Sequence, residues 1–307
     1  MTRARRRDEG PSGFLVVDKP AGWTSHDVVD AARRWLGTRR VGHLGTLDPL
    51  ATGVLPLAVR DATKLVPFVE GGRKRYEAEI AFGAATDTLD ADGSVTERFD
   101  GPLPAEIAVR TALSAFVGEI LQVPPMYSAL KRGGVPLHRL ARRGDEVERE
   151  PRPVTIFALA LVTYAPPFLE IALECSAGTY VRVLAADLGQ RLGCLGHVRR
   201  LRRTASGPFT LGQAHEHAAL ERAAGEGRVA DLLLPPVGVL GLPQLLLEEA
   251  GARRIRHGGE LRLAAADLGT AAPGDRLAAL DPEGILLAVL EVGKDRTLRP
   301  LRVLSGS

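Results

Sequence analysis

The chain has only two cysteines in 307 residues, Cys175 and Cys194, and neither lies in a CxxC or Cys/His spacing. That excludes a disulfide-built scaffold and a structural zinc site, and it points to a reducing compartment. No window approaches the roughly 18 consecutive apolar residues that a membrane helix needs. The opening MTRARRRDEG is basic, but no apolar run follows it, so it does not read as a signal peptide. A cytoplasmic protein without membrane association is expected. Walker and dinucleotide-binding glycine loops are absent. The stretch DTLDADG (87–93) has the outline of a calcium loop, but Thr88 holds the first ligand position and Phe99 that of the bidentate glutamate. A turn is expected there. His215 and His217 lack further ligands.

What is present describes a folded protein of more than one domain: 45% hydrophobic and 25% charged residues over a length that exceeds the usual single domain. The net charge of +3 is small, yet arginines bunch at Arg3–Arg7, Arg33–Arg34, Arg39–Arg40, Arg73–Arg75, Arg139–Arg143 and Arg199–Arg203. Solvated surface charge is one reading of these bunches. The other is an interrupted face for a polyanion, since the guanidinium fork suits phosphate oxygens.

GFLVVDKP (13–20) reads as a buried strand. SHDVVDAARRWLG (25–37) reads as a helix capped by Ser25 or Asp27 and ended by Gly37. VLPLAV (54–59) is strand-like, with Pro56 pushing it towards an edge or a bulge. YEAEIAFG (76–83) and FLEIALEC (168–175) alternate apolar and acidic residues as half-buried strands do. Helices are expected at about 104–117 and 180–192, the second with Thr179 as cap. Strands and helices alternate without a βαβ repeat, which gives an α+β fold class. Residues 124–150 form a long excursion, helical around 137–142. A helix and linker follow at 221–243, and the last 65 or so residues form a compact β-rich unit.

VGHLGTLDPLATGVL (41–55) places one carboxylate, Asp48, among glycines, threonines and leucines. An aspartate before proline is either a turn residue satisfied by backbone amides or a reactive group held away from water. In the second case a neighbouring cation must keep it charged. Arg182 is the candidate: it falls in the first turn of a helix, where the dipole disfavours a positive charge unless an anion faces it. Tyr76 begins a strand after RKR and is either an edge-of-core tyrosine or a stacking platform for a nucleobase. His43 is a loop histidine without metal-ligand spacing.

These segments together resemble the TruB-type tRNA pseudouridine synthases. GHLGTLDPLATGVL is similar to their catalytic motif, and FLVVDKPAGWTSHDVV, KRYEAEIAFGAATDTLDADG, QVPPMYSALKRGG, CSAGTYVRVLAADLG and LRRTASGPF agree in order over residues 13–210. The resemblance implies a pseudouridine synthase fold, with a mixed, largely antiparallel central sheet flanked by helices. It implies a basic flexible N-terminus at 1–12 and a catalytic domain at 13–238 whose 124–150 insertion is mobile and binds RNA. A small PUA-like RNA-binding domain would occupy 239–307.

The implied activity is isomerisation of a uridine in the T arm of tRNA, at the position usually numbered 55, without cofactor. Asp48 would be the nucleophile, Tyr76 the ring stacked on the flipped base, and Arg182 the ionic partner of Asp48. His43, Tyr180, Leu201, Lys19, Lys131, Arg132 and Arg139 would line the site or meet RNA, with Leu201 as a pocket wall. A monomer acting without a guide RNA is expected. Leu44 departs from the family, which more often has a small residue there, and would reshape the nucleotide-facing side of the loop. Three rivals remain. They are a guide-RNA-dependent catalytic subunit, a non-catalytic RNA-remodelling protein, and a retaining glycosidase, which needs a second carboxylic acid about 5 Å from the first. No such acid is identified in the sequence.

Overall fold

A computed structural model describes residues 10–304 except 129, 142, 144–146 and 263–270. The basic N-terminus expected at 1–12 lies outside these residues for its first nine positions.

Ten strands form the central sheet: β1 (Gly13–Lys19), β2 (Val41–His43), β3 (Thr52–Val59), β4 (Lys74–Phe82), β5 (Gly118–Gln122), β6 (Arg152–Ala165), β7 (Phe168–Cys175), β8 (Gly196–Ser206), β9 (Phe209–Thr210) and β10 (His215–Glu216). Their order is β10-β1-β3-β8-β4-β7-β6-β5, with β2 added to β3 and β9 to β8. Only β1–β10 and β3–β8 pair in parallel; the rest are antiparallel, as expected for a mixed sheet. Alternation places side chains on two faces. Leu15, Val17, Leu55, Leu57, Tyr76, Ala78, Ile80 and Phe82 point to one face. There they meet α1 (Ser25–Trp35), α2 (Glu106–Ser114), α3 (Val181–Leu192) and α4 (His217–Gly225).

Phe14, Val16, Val54 and Ala58 point to the other face. They share a cluster with Ala278, Leu280, Leu286, Val289 and Leu304 of the C-terminal region. That region is a five-stranded sheet of β11 (Gln244–Leu246), β12 (Leu261–Arg262), β13 (Arg276–Leu280), β14 (Leu286–Val292) and β15 (Thr297–Val303), in the order β11-β13-β14-β15-β12. Its second side packs against α5 (Glu249–Arg256) through Ala252 and Ile255. The expected linker is tied down on the way: Leu234 and Phe14 exchange two backbone hydrogen bonds of 2.8 and 3.0 Å.

Three local expectations are corrected. The N-cap of α1 is Thr24, with Asp27 as the reciprocal partner of a capping box. Ser25 is free for another task, described below. The N-cap of α3 is Tyr180, not Thr179, whose hydroxyl instead donates to Ser176 O. Pro56 lies in a central strand rather than at an edge. β3 pairs with β8 at Thr52 and Gly53 and with β2 at Leu57–Val59. Pro56 falls between these two neighbours, and its carbonyl accepts from Leu44 N. Its nitrogen points the same way, where no ladder bond is due, so the missing N–H removes nothing.

The helix α3 fixes the site against the sheet through Gly189. A Cβ there would lie 2.3 Å from the Leu195 carbonyl carbon and 2.4 Å from Gly196 N. Gly189→Ala would gain about 1 kcal/mol in helix propensity, but displacing backbone typically costs about 1–3 kcal/mol. The net expectation is a lower thermal midpoint. A raised midpoint would mean that helix and strand separate freely.

Candidate active site

The loop between β2 and β3 carries Asp48, and side chains from four directions hold it. Ser25, buried at the start of α1, donates to Leu47 O at 3.0 Å and accepts from Leu47 N at 2.8 Å. Lys19 ends β1 with no exposure to solvent, and its Nζ donates to Pro20 O, Trp23 O and Pro49 O at 2.9, 2.6 and 3.2 Å. Arg203 on β8 is also fully buried. It donates to Val54 O (2.8 Å), Thr46 O (3.3 Å) and Gly45 O (3.0 Å). Backbone carbonyls on both sides of Asp48 are therefore anchored to cations. Lys19, expected to line the site or meet RNA, is a strut of the loop instead. Burial lowers its ammonium to about 8, with Asp48 opposing the shift.

The fourth side chain is Arg182, 4% exposed in the first turn of α3. Its Nε lies 2.9 Å from Asp48 Oδ2 and its Nη1 3.4 Å from Asp90 Oδ2. Its Nη1 and Nη2 also donate to Thr88 O and Tyr127 O, each at 2.7 Å. The anion demanded by a first-turn arginine is thus present twice. Asp48 keeps 34% of its side chain open, whereas Asp90 keeps 5%. Burial pushes the Asp48 carboxyl above the usual carboxylate range; Arg182 pulls it down and the Asp90 charge pushes it further up.

Asp90 is the residue that sequence reasoning passed over. It belongs to DTLDADG, which was expected to be a turn, and it is one: Thr88 Oγ1 donates to Asp90 Oδ1 at 2.5 Å and Asp92 N to the same oxygen at 3.2 Å. A second carboxylate therefore does share the site. Both its oxygens are engaged and it is buried, so it holds Arg182 rather than facing an open pocket. The available signal was a DxDG turn in a chain that also needed an anion for a first-turn arginine.

Tyr76 and Leu201 face the same side of the sheet, 7% and 8% exposed. Leu201 pairs with Ala78, and Tyr76 pairs with Arg203 across β4 and β8. Burial pushes the Tyr76 phenol up, and the adjacent Arg203 works against that. Tyr180 is held by Gln122, whose amide donates to Tyr180 O at 3.2 Å and whose oxygen accepts from Tyr180 N at 3.0 Å. Burial raises its phenol as well; the Ser128 hydroxyl at its side pulls down, and the Asp48 charge adds to the rise. His43 is half-buried, with Nδ1 enclosed and unpartnered. A cavity of about 880 Å³ reaches the Asp48 loop at Leu50 and Thr52 and is walled by Ala78, Ile171, Leu201 and Arg202.

Lys131 and Arg132 form one arm of a short hairpin with Val135–Pro136, and Arg139 lies in the helix Leu137–Ala141. The side chains of all three are outside the described residues. Leu44 is 4% exposed and belongs to the cluster with Phe14 and Phe209, on the opposite face of the sheet from Tyr76. Many bunched arginines already have carboxylate partners. Arg73 and Arg75 pair with Glu174, Arg199 and Arg200 with Glu79, and Arg202 with Asp18.

Replacing Arg182 by Met removes the largest charge that opposes protonation of Asp48 and leaves Asp90 unpaired. NMR titration is expected to place the Asp48 carboxyl at higher pH than in the wild type, with a stability loss of about 3–5 kcal/mol for a broken buried pair. An unmoved titration would show that burial alone sets this group.

Residues 33–181 match the N-terminal domain of the TruB family pseudouridylate synthases, and residues 182–237 match the tRNA pseudouridylate synthase B C-terminal domain. A tRNA pseudouridine synthase B of Geobacter sulfurreducens is 49% identical over 80% of this chain and 81% of its own. The protein of the same name from Saccharophagus degradans is 41% identical over 99% of both chains. Among solved structures, a chain of a Cbf5-Nop10-Gar1 complex superposes with a TM-score of 0.70 at 24% identity, covering 95% of this chain and 84% of its own. At that identity the likeness shows the fold alone. Asp48 and Arg182 lie in the two separately matched segments, and their ion pair joins them. On this agreement of sequence, fold and site, the chain belongs to the TruB family of pseudouridylate synthases.

Proposed function

We propose that the protein isomerises a uridine in the T loop of tRNA, at the position usually numbered 55, with Asp48 as nucleophile. The observation that carries the chemical part is a half-open carboxylate, ion-paired to a buried arginine, whose charge reaches the buried Tyr76 phenol. The substrate part rests on the relatives, which are named tRNA pseudouridine synthase B over nearly the whole length of the chain. The H/ACA-type neighbours share the fold below 25% identity, which gives a guide-dependent reading no support from this chain.

In this mechanism Asp48 acts as the carboxylate, attacking the flipped nucleotide at ribose C1′ or at uracil C6. The N1–C1′ bond breaks, the uracil turns while held, and C5 bonds to C1′. The hydrogen on C5 then leaves as a proton, the freed N1 takes one up, and Asp48 is released unchanged. Arg182 keeps Asp48 ionised and aimed while the pocket excludes water. The Tyr76 ring stacks on the base. Leu201 walls the pocket, and Tyr180 and His43 border it. Residues 239–307 form a PUA-like RNA-binding unit in this reading, and the 124–150 insertion closes over the T loop with Lys131, Arg132 and Arg139. The protein acts as a monomer on free tRNA in the cytoplasm and assists tRNA folding.

Tritium release from a T-arm hairpin labelled at uracil C5 tests the reaction. Wild type is expected to release it, and Asp48→Asn to bind the hairpin without releasing any. Release by both would remove Asp48 from its role, and release by neither would leave an RNA-binding protein with this fold. A second expectation concerns the ring. Tyr76→Phe keeps RNA affinity, whereas Tyr76→Ala loses about 1–3 kcal/mol of stacking. Equal losses in both variants, measured by filter binding, would assign affinity to the hydroxyl.

A further inference from the structure

Gly45, three residues before Asp48, holds φ at +86°. A Cβ there would lie 2.9 Å from Lys74 Nζ and 3.7 Å from Arg203 Nη1. Two cationic nitrogens therefore converge on one point of the catalytic loop. Arg203 is held in place: it has no solvent exposure, and its Nε, Nη1 and Nη2 each donate to a carbonyl, of Val54, Thr46 and Gly45 respectively. Among the described residues no carboxylate lies within ion-pair distance of either nitrogen group. The contrast with the rest of the sheet is direct. Arg73, Arg75, Arg199, Arg200 and Arg202 are each matched to a glutamate or aspartate, although they are far more exposed.

Lys74 begins β4, two residues before Tyr76 and on the same face of the strand. It is half-buried, and its ammonium, with three donors and no acceptor, has no hydrogen-bond partner among the described residues. Burial and then the Arg203 charge make its protonated form unfavourable, and Cys175 and Glu70 compensate only in part. His43, whose enclosed Nδ1 has no partner, feels the same Arg203 charge. A desolvated cation facing a second cation is an unfavourable arrangement in the free protein. An anion entering at Gly45 would relieve it. The Asp48 carboxylate is not that anion, because its charge is directed at Arg182.

We propose that Lys74 is a phosphate-binding residue of the site, its ammonium at Gly45 taking a phosphodiester oxygen of the RNA strand that delivers the nucleotide to Asp48. The inference rests on the RNA substrate proposed above and adds a subsite to it. A flexible point-charge donor suits a single phosphate oxygen, while the fixed Arg203 behind it makes the local potential positive. Anchoring the strand here ties the phosphate to the loop that carries the nucleophile, so the flipped base and Asp48 are located by one rigid segment.

The test pairs protein and RNA changes. Binding of a T-arm hairpin to wild type, Lys74→Met and Lys74→Gln is measured across a salt series. Each phosphate around the target uridine is replaced in turn by a neutral methylphosphonate. One methylphosphonate is expected to weaken wild-type binding roughly ten-fold. Lys74→Met should weaken binding of the unmodified hairpin by a similar factor and be indifferent to that one replacement. The slope of log affinity against log salt should fall by about 0.7–0.9. Lys74→Gln guards against a packing effect and should behave as Lys74→Met does. If every methylphosphonate penalty persists undiminished in both variants, or the salt slope is unchanged, the proposal is overturned. A wild type that releases tritium while both variants keep every penalty overturns this subsite alone; a wild type that neither binds nor reacts overturns the RNA reading beneath it.

Discussion

One guanidinium organises the part of this protein that carries Asp48. Arg182 sits in the first turn of α3, buried, where the helix dipole and the loss of water both oppose its charge. It is stable there because two carboxylates and two carbonyls, from three separate loops, converge on it. Each of those loops is fixed in turn by the arginine. The arrangement explains why Asp48 can sit half-open in apolar surroundings: its counter-charge is pre-positioned, and Asp90 holds that counter-charge from behind. Asp90 also works against Asp48, since its own negative charge adds to the desolvation that raises the Asp48 carboxyl. The Asp48 carboxyl is thus held between opposing influences, with burial and Asp90 favouring its neutral form and Arg182 its charged form.

A second device is the use of buried cations to hold backbone carbonyls instead of carboxylates. Lys19 and Arg203, both without solvent exposure, make six carbonyl bonds between them, three of which grip the loop on either side of Asp48, at Gly45, Thr46 and Pro49. A carboxylate partner would have neutralised them and also repelled Asp48. Carbonyl dipoles satisfy the donors without adding a further negative charge beside Asp48. Together with Ser25, these residues make a rigid seat of a segment that contains two glycines at positive φ, Gly45 and Gly53. Gly53 is needed for a separate reason, since a Cβ there would come within 2.2 Å of Arg203 O.

The C-terminal sheet is joined to this assembly through the far face of β1 and β3. Phe14, Val16, Val54 and Ala58 are buried beneath it, so both faces of these two strands are apolar. That is why VLPLAV reads as a continuous apolar run while YEAEIAFG alternates. It also accounts for Leu44, which is anchored in this second cluster, leaving the glycine that follows it to present backbone to Arg203.

The strands at 13–19, 76–82 and 168–175, the helices at 25–35 and 181–192, and the α+β class were legible in the sequence, because burial on one face imposes a period that local composition records. The pairing of Asp48 with Arg182 was legible for a different reason. An isolated carboxylate in an apolar loop and a cation in the first turn of a helix are each unfavourable locally, so each announces a partner. The identity of the partners was decided only by the tertiary structure. Asp90 is 42 residues from Asp48 and 92 from Arg182 in the chain, and nothing in a satisfied DxDG turn reveals which charge it faces. Pro56 in a central strand, Thr24 as cap, Lys19 as a strut and the unpaired Lys74 are of the same kind. The sequence determines which groups are costly to bury; only the packing of distant strands determines what compensates them, because electrostatic compensation acts through space between residues that share no local pattern.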